Sequence, residues 1–386
     1  MQGFRRDRLT WVAYVLLAWF AYLQAAPGLV IAHLRDELHL SYSTGGLHVA
    51  AFATGTILAG VVGVRLETAV GRGRLLWSAT LLMSVGVVGL TAGRVATVTV
   101  GSVLVMGVGG GLLLVAIQAA LSDHHGELRT VALTEANVAA SVAYVVLIGA
   151  LSLTAALHAG WRLALLVPLA VPAVAWWGNR ELAIVAPPPS RLAAGSLPRV
   201  FWLAATMMFC TTAVEWCIAA WGASFVEDAT DVSADTSVAL MAGYFGGVVV
   251  GRTLGSGLAR RYDPARLLAL AMGLTALGFA VLWPAGSPVQ ALLGLTLLGV
   301  GLGNLFPMGL SVTVALAPDR SALASSRAVT TTAAAVLLAP LTVGTLADAT
   351  SLEAAFGVVP VMLALSAVLL ATLARVQARL SSAPAP

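Results

Sequence analysis

The chain has 386 residues, of which 10% are charged and 59% hydrophobic, and its mean hydropathy is +0.93. Soluble domains carry about 25% charged residues, so this composition excludes an ordinary soluble fold and describes a chain that lies in lipid. The formal charge of +4 and the pI near 9.5 come from 21 arginines with no lysine, and their placement along the chain accounts for them without a nucleic-acid partner.

Apolar runs of about 20 residues, the length that crosses a hydrocarbon core about 30 Å thick, recur from end to end. Read between charged and turn-rich breaks, the predicted spans are 10–33, 43–64, 74–93, 97–121, 130–156 and 161–179, then 199–226, 236–259, 266–284, 288–316, 322–347 and 352–374. The first run is too long for a signal-peptide core and lacks a small-residue cleavage site, so it stays as a span. Residues 180–198 hold Pro187-Pro188-Pro189 with Arg180 and Arg191, a composition that cannot continue a helix and reads as a cytoplasmic linker. The expected fold is therefore an all-α polytopic membrane protein, with six-helix bundles at 1–179 and 199–386. With the N-terminus inside, eighteen arginines fall on cytoplasmic segments and only Arg35, Arg94 and Arg162 fall outside. The positive-inside rule then puts both termini in the cytoplasm.

The two halves repeat. At an offset of 192, Arg74-Leu75-Leu76 falls on Arg266-Leu267-Leu268, Pro168 on Pro360, and Gly107, Gly109 and Gly111 on Gly299, Gly301 and Gly303. Seven glycine pairs coincide, Gly55/Gly247, Gly63/Gly255, Gly86/Gly278 and Gly3/Gly195 completing them, where random placement gives about two. Six spans per half make the repeats parallel. Polar groups break the register: Leu23 stands opposite Glu215, Leu112 opposite Asn304, Leu310 opposite Gln118 and Gly60 opposite Arg252.

Twelve spans in two parallel halves, each with an Arg/Gly-rich loop after its second helix, resemble the major facilitator superfamily of transporters over essentially the whole chain. The second-half loop runs from Gly251 through Arg252, Gly255, Arg260 and Arg261 to Arg266, and looks like the family's G-x-x-x-D-R-x-G-R-R loop in a degenerate copy. The first copy keeps Gly71-Arg72-Gly73-Arg74, with Glu67 near the place of the aspartate. The resemblance makes these loops a conformational switch, their arginines binding helix C-terminal carbonyls or lipid phosphates. Gly160-Trp161-Arg162 is similar to the family's aromatic-basic anchor, and Thr91 to Gly111 to its glycine-rich fourth helix. Val103, Leu104, Val105 and Met106 stand where drug/proton antiporters carry an arginine, and Tyr144 to Ser152 lacks their Gly-Pro pair. The segments Thr211 to Trp216 and Gly303 to Pro307 look closer to sugar and fucose permeases.

Two acidic residues lie inside spans, where a charge costs at least about 2.5 kcal/mol by insertion scales. Glu215, about sixteen residues into span 7 and on one face with Met208, Thr211, Thr212 and Gly222, has no arginine at its depth in the sequence. It reads as a proton carrier, the alternative being a neutral acid hydrogen-bonded to a neighbouring helix. Glu135 lies six residues into span 5, close in depth to Arg252 of span 8, and the resemblance implies that these two helices face each other. Glu135 and Arg252 are then expected to pair as a cytoplasmic gate.

The resemblance also implies a cavity lined by helices 1, 4, 7 and 10, so Tyr22, Gln118, Glu215 and Asn304 lead the candidate substrate residues. Tyr14, Gln24 beside a break at Pro27-Gly28, Asn137, Tyr144, Trp216 and Thr331 complete them. Each could instead serve in interhelical hydrogen bonding, worth about 0.6 kcal/mol per pair in membranes. Trp19, Trp176, Trp177, Trp221 and Trp283 read as interfacial anchors, and Cys210 and Cys217 as packing residues. His124-His125, near Asp123 and Glu127, and the pair His33 and His39 read as solvated loop residues rather than a metal site. Glu227, Asp228, Asp231 and Asp235 read as a solvated acidic loop.

The expected function is a monomeric secondary transporter in the cytoplasmic membrane. It moves a small organic solute by alternating access, coupled to protons, with lipid around it and no cofactor or metal. Export of a hydrophobic or amphipathic compound is the alternative. No G-x-x-x-x-G-K-[ST] loop supports ATP hydrolysis, no His/Asp/Glu cluster within the spans supports a membrane enzyme, and the short termini leave no room for a signalling domain. The lysine-free, Ala/Arg-rich usage suggests a GC-rich bacterial genome.

Overall fold

A computed structural model describes residues 4–182, 184, 196–258 and 261–382; Arg260 and most of the linker lie outside the described residues. Among the described residues, twelve helices are long and apolar enough to cross a membrane. The first six are α1 (Arg8–Leu38), α2 (Tyr42–Val70), α3 (Arg72–Ala92), α4 (Ala96–His125), α5 (Arg129–Ala156) and α6 (Trp161–Asn179). The next six are α7 (Arg199–Thr230), α8 (Ala234–Leu258), α9 (Pro264–Leu282), α10 (Pro288–Ala315), α11 (Ser321–Ala349) and α12 (Val358–Ser382), the last preceded by the single turn Leu352–Ala355.

The helix ends follow local chemistry. Asp7, Ser41, Asp263, Ser287 and Ser351 each accept a backbone N–H at a helix start, and Pro264 and Pro288 occupy first-turn positions where no N–H is needed. Gly71, at φ 83°, turns α2 into α3 with no intervening loop. The expected break at Pro27-Gly28 does not occur: α1 runs through Pro27 to Leu38, because a buried membrane helix can satisfy the freed backbone group through its neighbours.

The chain divides into two compact units, Met1–Pro189 with Ser233–Ala239, and Ser190–Val232 with Leu240–Pro386. In the first unit α4 packs against α2 and α3, and α1 against α5. In the second, α10 packs against α9, while α7 packs against α11 and α12. There Phe201, Ala205 and Met208 of α7 meet Ala324 and Ala328 of α11, and Phe225 stacks on Phe356 with ring centroids 4.4 Å apart.

The 192-residue repeat holds atom by atom. A side-chain carbon added to Gly55 would stand 2.5 Å from Leu104 O and 2.5 Å from Val108 N. At Gly247 it would stand 2.5 Å from Thr296 O and 3.0 Å from Val300 N, the same two positions one repeat later. Gly107 abuts Phe52 O as Gly299 abuts Tyr244 O, again in register. These glycines are retained because helix backbones touch there.

Two tryptophans depart from expectation. Trp19 is 3% exposed and Trp221 0%, so neither sits at an interface; Trp221 donates its indole N–H at 2.8 Å to the carbonyl of Pro340, a proline inside α11. Trp176 and Trp177 are exposed, and Trp283 donates to Glu353 O. Cys210 and Cys217 are buried free thiols.

Candidate functional site

In the first unit the residues at the start of α1 are tied to α4, α5 and α6. Arg6 grips Glu135 of α5 with two bonds, Nε to Oε2 at 2.7 Å and Nη2 to Oε1 at 2.6 Å. The Tyr14 hydroxyl donates to the same carboxylate at 3.1 Å. Arg8 bonds Asn179 Oδ1 at 2.6 Å and the Gly178 carbonyl, tying α1 to the end of α6. Asp7 accepts from the Thr10 amide and hydroxyl and pairs with His124 at 2.6 Å. Burial pushes the Asp7 carboxyl up, but the bonds from Thr10 and the charge of His124 outweigh it, and the net lies below the usual carboxylate range.

The first switch loop is held by side chains. Arg72 is 5% exposed and donates to Glu67 Oε1 and Asp123 Oδ2, both at 2.7 Å. Burying a guanidinium demands fixed counter-charges, and for Arg72 α2 and α4 supply two of them. Arg74 is exposed. In the second copy Asp263 caps α9, Gly251 meets the backbone of Val300, Gly255 meets the Asn304 side chain, and Arg261 is exposed.

At the opposite end of α1, Glu37 accepts from Trp161 Nε1 at 2.9 Å and from Arg162 Nη1 at 3.0 Å, and Arg162 also donates to Thr91 O. The aromatic-basic anchor therefore joins α6 to α1 and α3. His33 lies within α1, not in a loop, and its Nε2 meets the exposed Asp235 carboxylate at 2.9 Å.

In the second unit Glu215 sits deep in the packing around α7 with part of its surface still accessible. Arg252 of α8 is the one charged side chain whose field is felt at Glu215 among the described residues. The Tyr244 hydroxyl lies 3.4 Å from Glu215 O. One turn before Glu215, the Thr212 hydroxyl is buried with no hydrogen-bond partner, an unmet demand in the wall of this site.

The other candidates separate by what their polar atoms do. The Tyr144 hydroxyl reaches Gln24 Oε1 at 3.3 Å, joining α5 to α1. Tyr22 donates to Ala164 O at 2.7 Å and Asn304 to Gly251 O at 2.6 Å, both within helix–helix contacts. Asn137 and Thr331 bond back to their own helices; Asn137, like Gln118, is exposed, and Thr331 is part-buried. Trp216 is part-buried beside Glu215. Sequence reasoning missed Arg6, Asp7 and the partners of Arg72. Arg6 and Glu135 are 129 positions apart, and no local spacing reports such a pair.

The comparisons with known proteins agree with this architecture. A bacterial homologue of the human lysosomal transporter Spinster, crystallised inward-facing and occupied, has 14% identity and a TM-score of 0.77, covering 97% of this chain and 98% of its own. The nucleoside transporter NupG, crystallised as a mutant, has 11% identity and a TM-score of 0.75, covering 95% and 98%. At these identities the likeness is one of fold. A sequence search of curated proteins finds no match. The Major Facilitator Superfamily profile matches residues 10–226 and 204–386, so the chain belongs to the major facilitator superfamily, a multi-pass membrane protein of a transporter family and not an enzyme.

Proposed function

We propose that this protein is a proton-coupled secondary transporter of a small organic solute, working by alternating access in the cytoplasmic membrane with both termini inside. The observation that carries the reading is Glu215: an acidic side chain deep in a membrane helix, partly accessible, with Arg252 acting on it and the unpartnered Thr212 hydroxyl one turn away. A carboxyl in such a place can take up a proton and release it as its surroundings change. Substrate groups are assigned to Gln24, Tyr144, Trp216, Glu215 and Thr212, with Gln118, Asn137 and Thr331 as further positions. Tyr22 and Asn304 are left out because their donors are committed to helix contacts.

Glu135 and Arg252 are assigned to a cytoplasmic gate, Glu135 exchanging Arg6 and Tyr14 for Arg252 as the mouth closes. The Gly71–Arg74 and Gly251–Arg261 loops are assigned to the conformational switch, and the protein is assigned as a monomer. The commitment of Tyr22 and Asn304 also lowers the supply of polar groups, which favours a hydrophobic or amphipathic solute as the second reading, with export as its direction.

The test is a substrate panel in proteoliposomes under an imposed pH gradient. Glu215→Gln is expected to abolish gradient-driven accumulation while leaving downhill exchange. Unchanged accumulation by that variant refutes the proton assignment.

A further inference from the structure

We propose that Asp7, His124 and His125 form a binding site for a divalent transition-metal cation such as Zn2+, fastening the segment before α1 to the end of α4. One ligand atom from each of the three lies within 4.8 Å of the others. The two imidazoles come from consecutive residues in the last turn of α4 yet stand at 84° to each other with centroids 4.9 Å apart, so they converge on one place. Asp7 enters from the start of α1, and its Oδ2 lies 2.6 Å from His124 Nε2.

Two imidazoles and a carboxylate are a donor set suited to Zn2+ and its neighbours in the transition series, with a fourth position left for water. Ligands held about 2.0–2.1 Å from tetrahedral zinc are separated by about 3.3 Å, so the widest pair must close by about 1.5 Å. His124 is exposed, leaving its side chain room to turn toward the Asp7 carboxylate.

The surroundings are arranged for a cation. Asp7 keeps Oδ1 for the Thr10 amide and hydroxyl, which fixes the carboxylate and leaves Oδ2 for the metal. His125 Nε2 lies 2.8 Å from the Thr10 hydroxyl, a neutral contact that it can exchange for the ion. The last-turn carbonyls of α4 add partial negative charge. The two nearest arginines of the segment are engaged elsewhere, Arg6 by Glu135 and Arg8 by Asn179. Phe4 packs on the His125 ring at 4.8 Å and shields one side.

One repeat later the same positions are Arg199, Leu316 and Ala317, so the cluster is not required by the fold. Because Arg6 adjoins Asp7 and holds Glu135, an ion here would also steady the grip on α5.

The test is calorimetric titration of Zn2+ into chelator-stripped, tag-free protein in detergent. One Zn2+ per chain is expected, with affinity reduced about tenfold or more in Asp7→Asn and in His124→Ala/His125→Ala. Zinc should raise the melting temperature of the parent and not of these variants. His158→Ala should behave as the parent. The metal-free melting temperature of each variant checks folding, and the milder single changes His124→Gln and His125→Gln take the place of any variant that fails it. Absence of zinc binding by the parent, or equal binding by parent and folded variants, overturns the assignment. This outcome does not depend on transport or on Glu215.

Discussion

Replacing Gly55 or Gly247 with alanine tests the repeat at its most constrained points. At either position the new carbon would stand 2.5 Å from a backbone oxygen of the partner helix, and backbone cannot rotate away as a side chain can. Ordinary contacts begin near 3.4 Å, so each helix pair must open by about 0.9 Å along a face where neighbouring residues are also in contact. Overpacking of this kind costs about 1–3 kcal/mol. The change from glycine to alanine within a helix returns about 0.5–1 kcal/mol, leaving a net loss of up to about 2.5 kcal/mol. For units of this size that is a fall of a few degrees in melting temperature, at about 2–4 °C per kcal/mol. Gly60 is the control, since a carbon there meets nothing within 4 Å, and Gly60→Ala should hold or raise the melting temperature. Tryptophan fluorescence during thermal unfolding in detergent gives all three values. If Gly55→Ala and Gly247→Ala melt at or above the parent, or if one falls and its repeat mate does not, close backbone contact is not what the glycines provide.

Removing the buried guanidinium in Arg72→Gln leaves Glu67 without its cation and should cost about 3–5 kcal/mol in the same assay, with Arg72→Met/Glu67→Met recovering much of the loss. Trp221→Phe removes the only donor of a fully buried indole to Pro340 O and should lower stability by about 1–3 kcal/mol, whereas Trp177→Phe at an exposed position should change little. The Asp7 carboxyl, held below the usual range, stabilises the fold at and above the ordinary carboxylate value and loses that contribution as pH falls through its depressed value. Parent and Asp7→Ala, both with chelator, should therefore differ in melting temperature at neutral pH and converge as pH drops below about 3.9; a gap that widens on acidification would reverse the sign of the argument.

What was legible in the sequence was what local chemistry and periodicity control. Span number and placement followed from apolar run length, and the duplication from glycines that recur 192 residues apart. Glu215 and Glu135 were legible because a carboxylate in an apolar run is conspicuous. Their surroundings were not, because Arg6 reaches Glu135 from outside the first span and Tyr244 of another helix lies against the backbone of Glu215. Tertiary packing also decided which polar candidates are committed to helix contacts, as Tyr22 and Asn304 are, and which tryptophans are core, as Trp19 and Trp221 are. It gathered Asp7, His124 and His125 from two helix ends more than a hundred residues apart. Hydropathy records whether a residue can lie in lipid, but which neighbour satisfies a polar atom depends on helix rotation and approach, and those are set only when the bundle closes.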